Sequence, residues 1–80
     1  MGTLLHPLDD YARERASLSP ERREALDYLA EEIAADPDRY RLELDDVRYE
    51  FSEDELVSIA FRRTGPNDAD LISFSFIDET

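Results

Sequence analysis

Four short runs in the second half of this chain alternate apolar with polar residues, and strand register ties each run to the next. The runs are Tyr40, Leu42, Leu44; Val47, Tyr49, Phe51; Val57, Ile59, Phe61; and Ile72, Phe74, Phe76. A period of two puts each trio on one face of a β-strand. A one-residue slip in any pairing turns that strand's apolar set to the other side, so connection lengths become a test of the fold. A two-residue turn at Asp45-Asp46 sets Leu44 against Val47 and Leu42 against Tyr49. A three-residue turn at Ser52-Glu53-Asp54 sets Tyr49 against Val57 and Val47 against Ile59. A six-residue loop from Thr64 to Ala69, containing Gly65-Pro66-Asn67-Asp68, sets Phe61 against Ile72, Ile59 against Phe74 and Val57 against Phe76. All three connections keep the apolar faces matched. They predict an antiparallel four-stranded meander over about 40–44, 47–51, 55–63 and 70–77.

The first half reads as helix. Ser19-Pro20-Glu21 supplies a hydroxyl N-cap followed by proline at the first helical position, where its missing N–H costs nothing. Leu26, Leu29, Ala30 and Ile33 then form one apolar stripe. Asp36-Pro37 closes the segment, because the residue before proline avoids helical geometry. This predicts a helix over about 20–35. A shorter helix over about 8–17 presents Leu8, Tyr11 and Ala12, with Leu18 bridging the two. The expected fold is α+β, a helical hairpin packed on one face of the meander, in a single domain over residues 1–80.

With 80 residues, only roughly 60% of the unfolded surface is buried on folding, so the core is small. Cysteine is absent, which removes disulfides and thiolate metal sites. No basic leader and no eighteen-residue apolar run occur, and the expectation is a non-exported cytoplasmic protein off the membrane.

Charge bears on partners rather than on fold. Twenty-one acidic residues face nine arginines and no lysine, for a net charge of -12. Such a field repels polyanions, so direct nucleic-acid binding is not expected. Arg13, Arg15, Arg22 and Arg23 form the one basic cluster, and Glu14, Glu21 and Glu24 interleave with it. Two accounts fit the acidity. The carboxylates cover a basic surface on another protein, as an inhibitor or regulator would, or they reflect a halophilic or high-GC host.

Catalytic and ligand motifs are missing. His6, the one histidine, sits beside Pro7 in a terminal segment read as exposed and mobile, and no serine lies in a nucleophile elbow. Asp36-Pro37-Asp38 and Asn67-Asp68-Ala69-Asp70 space oxygen ligands two apart without completing a calcium loop. Gly2 and Gly65 cannot build a phosphate-cradling loop. No cofactor, metal or catalytic residue is expected.

The candidate site is therefore a protein-binding surface. On the predicted registers the sheet face away from the helices carries Arg41, Glu43, Arg48 and Glu50 on two strands, and Leu56, Ser58, Ala60, Arg62, Leu71, Ser73, Ser75 and Ile77 on the others. The uncharged segment from Leu71 to Ile77 falls on a sheet edge and invites a second copy or a partner strand, with pairing by Thr3 to Leu5 as the alternative. Asp45, Asp46, Glu53, Asp54 and Glu55 join Glu43 and Glu50 as charges that would steer a basic partner.

A helical hairpin whose second helix ends at Asp36-Pro37, followed by a meander containing Val47-Arg48-Tyr49-Glu50-Phe51, resembles the layout of the RelE/ParE toxin superfamily over residues 20 to 77. The resemblance implies that scaffold. Members that cut messenger RNA use basic residues, which this acidic chain has in small number, so it implies neither that activity nor a catalytic residue. The two function classes are thus an acidic interaction module and an enzyme-like or toxin-scaffold domain.

Overall fold

In chain order the elements are β1 (Leu4–Pro7), α1 (Asp9–Ala16), α2 (Pro20–Ala35), β2 (Leu42–Leu44), β3 (Val47–Phe51), β4 (Val57–Gly65) and β5 (Asp68–Phe76). They are drawn from a computed structural model that describes residues 2–77. The Ser19 side chain accepts the Arg22 N–H, Pro20 opens α2, and Asp36 leaves helical geometry at φ -152°. Local signals alone thus set both ends of α2. From it Leu26, Leu29, Ala30 and Ile33, joined by Tyr11 of α1, pack on Val57, Ile59, Phe61, Ala69 and Leu71 of the sheet.

The sheet has five strands in the order β1-β5-β4-β3-β2. The expected four-stranded antiparallel meander is thereby corrected to a mixed sheet. Its β2–β5 portion keeps the meander order, while β1 adds in parallel, Leu5 beside Ala69 and Pro7 beside Leu71. Three backbone bonds fix this short strand: Thr3 N–H to Ala34 O at 2.8 Å, Leu4 N–H to Asn67 O at 2.8 Å and Leu8 N–H to Leu71 O at 3.0 Å. The edge expected to be open over Leu71 to Ile77 is therefore covered up to Leu71 by the chain's own N-terminal strand.

The first hairpin has the predicted register, Leu42 opposite Tyr49 and Leu44 opposite Val47, with Asp45 and Asp46 both at positive φ. Such a pair of angles is what a two-residue turn needs to match strand twist. The next connection differs from expectation. Phe51 faces Ser58 and Glu50 faces Ile59, and in the 52–56 loop the Ser52 N–H bonds Val57 O at 2.9 Å, so four residues, 53–56, make the turn instead of three. Side-chain bonding widens it: Ser52 Oγ donates to Asp54 Oδ1 at 2.6 Å and accepts the Val57 N–H at 3.2 Å, while Asp54 also accepts the Leu56 N–H. Glu55 completes the loop at φ 60°. This register reverses the faces of the first hairpin. Leu42, Leu44, Val47, Tyr49 and Phe51 share the side of Ser58 and Ala60, away from the helices, and Arg48 and Glu50 share the side of Phe61 and Ile59.

Between β4 and β5, Ile59 faces Phe74 and Val57 faces Phe76 as predicted, but Phe61 faces Leu71. The shift beside Phe61 leaves Ile72 as an extra residue on β5, a bulge that returns Leu71 and Ala69 to the core. The turn is also tighter than the expected loop, since pairing continues to Gly65 and Asp68.

Tyr11 gives a prediction. Its ring is 2% exposed and meets Phe74 edge-on at 5.2 Å, yet its buried hydroxyl has no hydrogen-bond partner. An unpaired buried hydroxyl costs about 1–3 kcal/mol, so Tyr11→Phe is expected to hold or raise stability by about 1 kcal/mol in urea unfolding. Burial, reinforced by the nearby Asp27 carboxylate, raises the phenol's pKa in the folded state. The unfolded phenol ionises near about 10, so stability is complete below that pH and falls as pH climbs above it. The Phe variant should lose that part of the alkaline decline.

Candidate partner-binding site

The residues predicted to form one surface are divided by the fold into three places. Ser58, Ala60, Ser73 and Ser75 do share the face away from the helices. Ser73 and Ser75 are exposed, whereas Ala60 is 6% exposed and lies opposite Tyr49. Leu71, predicted on this face, is a core residue at 4% exposure, because the Ile72 bulge reverses its side. The smooth patch is accordingly smaller than expected, and Leu42 and Leu44, predicted inside, extend it at 46% and 55% exposure.

Several predicted steering acids are engaged elsewhere. Glu43 accepts from Arg48 Nε at 3.5 Å, Glu55 takes Arg41 at 2.5 Å, and Glu50 accepts the Phe51 N–H at 2.9 Å with Arg39 at 3.9 Å. Glu43 and Glu50, predicted on the outer face, have helix-side register, and Arg48 beside them lies over the Tyr40 ring at 4.5 Å while donating to Pro37 O. Asp45 and Asp46 remain exposed at the hairpin tip. Asp38 ties Arg63 and Arg48 together at 2.9 and 3.1 Å, and these bonds, Arg63 first, hold its carboxyl below the usual range. Arg15 grips Asp27 with two bonds, at 2.8 and 2.6 Å, fastening α1 to α2 and likewise lowering the Asp27 pKa.

The third place is a groove of about 790 Å³ between α2, the 52–56 loop and the ends of β4 and β5. It brings together four predicted residues, Leu56, Ile77, Glu53 and Asp54. To these the structure adds Ala25, Tyr28 and Phe76, which sequence reasoning missed. Tyr28 carried a usable signal: it is a large aromatic placed off the Leu26, Leu29, Ala30, Ile33 stripe of an amphipathic helix. His6 also departs from expectation, since it belongs to β1 and its Nε2 lies 2.9 Å from Asp68 Oδ1, with both side chains about half exposed. Asp54, bonded by Ser52 and then by the Leu56 N–H, has a lowered pKa and stays charged at the groove rim.

No group of three or more His, Asp or Glu residues among the described ones is arranged to hold a metal ion. No helix among them is long and apolar enough to cross a membrane.

No protein-family model matches the chain, and no curated protein sequence does. Solved structures do. The isolated E. coli RelE toxin superposes with a TM-score of 0.74 at 13% identity, covering 98% of this chain and 87% of that one. The fold is that of RelE. A chain of the intact E. coli RelBE toxin-antitoxin complex gives the same TM-score at 15% identity, with 96% of this chain and 99% of that one covered. The RelE-like scaffold suggested by the helical hairpin and meander is thus present over nearly the whole chain, including β1, whose pairing with the last strand the sequence offers only as the alternative.

Proposed function

We propose that this chain is a toxin-like protein on the RelE scaffold that works as one half of a two-protein complex in the cytoplasm, held by an antitoxin-like partner. The observation that carries the reading is the match to a chain of the RelBE complex, which covers both chains almost end to end. Surface chemistry favours a protein rather than a nucleic acid as the direct partner. Arg13, Arg15, Arg39, Arg41, Arg48 and Arg63 each lie against a carboxylate. The net charge of -12 opposes binding to phosphates. Self-association through the last strand is less favoured, because β1 occupies the edge beside Asp68 to Leu71. The acidity itself suits a concentrated salt environment, where carboxylate repulsion is screened.

The test is to isolate the tagged chain from its native cells in their own salt and weigh it. A stoichiometric complex well above the 9.3 kDa monomer is expected. Induced alone the chain should slow growth, and induced with the co-purifying protein it should not. A lone monomer that leaves growth unchanged overturns the reading.

A further inference from the structure

Seven large apolar side chains are exposed among the described residues, and three of them, Tyr28 at 66%, Leu56 at 46% and Ile77 at 48%, line the groove beside α2. Together with Ala25, Val57 and Phe76 they give it an apolar floor. Its rim has the opposite character. Glu21, Glu24 and Glu32 of α2 stand on one side, and Glu53 and Asp54 of the 52–56 loop stand on the other. Arg22 is the basic side chain lining it, with its guanidinium 5.0 Å from the centre of the Phe76 ring.

We infer that this groove seats an amphipathic helix of the protein partner, its apolar stripe against Tyr28, Leu56 and Ile77 and its arginines or lysines along the acidic rims. An apolar floor between two charged margins matches the face of a helix with apolar residues at i, i+3, i+4 and i+7 and cations on both flanks. The apolar insertion supplies affinity, while the five carboxylates select the sign of the partner and speed its arrival. A second copy of this chain fits poorly, because at a net charge of -12 it would set acid against acid. The inference rests on the two-protein reading above and adds the partner's chemistry and its seat.

The probes are a synthetic helical peptide of about three turns, with a leucine stripe and arginine flanks, and its twin carrying glutamate in place of arginine. Both are titrated against the full chain by fluorescence anisotropy, at the lowest salt that keeps the native circular dichroism spectrum. This needs no native partner, so failure of the groove and failure of the two-protein reading are seen in different measurements. The arginine peptide is expected to bind at least about tenfold tighter than its twin, a difference of about 1.4 kcal/mol. Tyr28→Glu and Leu56→Glu should each weaken it about tenfold even though they add negative charge, and Leu44→Glu, on the far side of the sheet, should not. Equal binding of the two peptides, binding of neither, or unchanged affinity in the Tyr28 and Leu56 variants overturns the inference.

Discussion

Replacing Phe61 with alanine is expected to cost about 3–5 kcal/mol and to leave much of the chain unfolded at 37 °C. Phe61 is fully buried at the centre of β4, opposite Leu71, in the cluster that joins α2 to the sheet. A domain of this length has about 4–12 kcal/mol of total stability, so the loss is a large share of the whole. Leu44→Ala provides the contrast. Leu44 lies on a predicted core face, but the 52–56 loop turns it outward to 55% exposure, so its removal should change stability by about 0.5 kcal/mol or less. Urea unfolding followed by circular dichroism gives both numbers. Equal losses at Phe61 and Leu44 would mean that the two hairpins share one buried face after all.

That contrast marks where the sequence is legible and where it is not. The longer helix could be read because both of its boundaries are written within a few residues of its ends, by Ser19-Pro20 and by Asp36-Pro37. The order of β2 to β5 could be read because each alternating run is followed by turn residues. Facing could not be read so simply, since it depends on the parity of a connection. In the 52–56 loop that parity is set by the Ser52 and Asp54 side chains bonding backbone N–H groups, which a count of turn residues does not register. The Ile72 bulge is hidden for a similar reason. Leu71-Ile72-Ser73-Phe74 alternates well enough to suggest a regular strand, and only the demand for two more core residues, Leu71 and Ala69, reveals the extra one. β1 is legible only from its neighbour. Four residues with exposed Leu4 and His6 carry almost no strand signal, and the strand exists because the open β5 edge accepts it. The groove is half legible: the sequence offers Leu56 and Ile77 as sheet-face residues and Glu53 and Asp54 as steering charges of a turn, but not their meeting beside Tyr28.

Lowering the salt is expected to unfold the free chain, and adding a basic partner is expected to reverse that. The screening length is roughly 3 Å at 1 M and roughly 30 Å at 0.01 M, against a radius of gyration of 11.9 Å. In molar salt each carboxylate therefore senses only its immediate neighbours, whereas in dilute buffer the entire net charge of -12 acts on every part of the molecule. The repulsion has identifiable centres. Glu21, Glu24 and Glu32 face Glu53 and Asp54 across one groove, so separating α2 from the 52–56 loop relieves it. No disulfide opposes that separation. Circular dichroism should report loss of helix as sodium chloride falls from about 2 M to about 0.01 M, and an unfolding midpoint that does not change over this range would refute the account. The groove adds a coupled result. A basic helix bound there neutralises the same carboxylates and stabilises the folded chain in proportion to its occupancy, so the salt needed for folding should fall as the arginine peptide is added and stay fixed with its glutamate twin. The two dependences run in opposite directions. Salt strengthens folding and weakens binding, which predicts an intermediate salt at which the peptide protects the chain most.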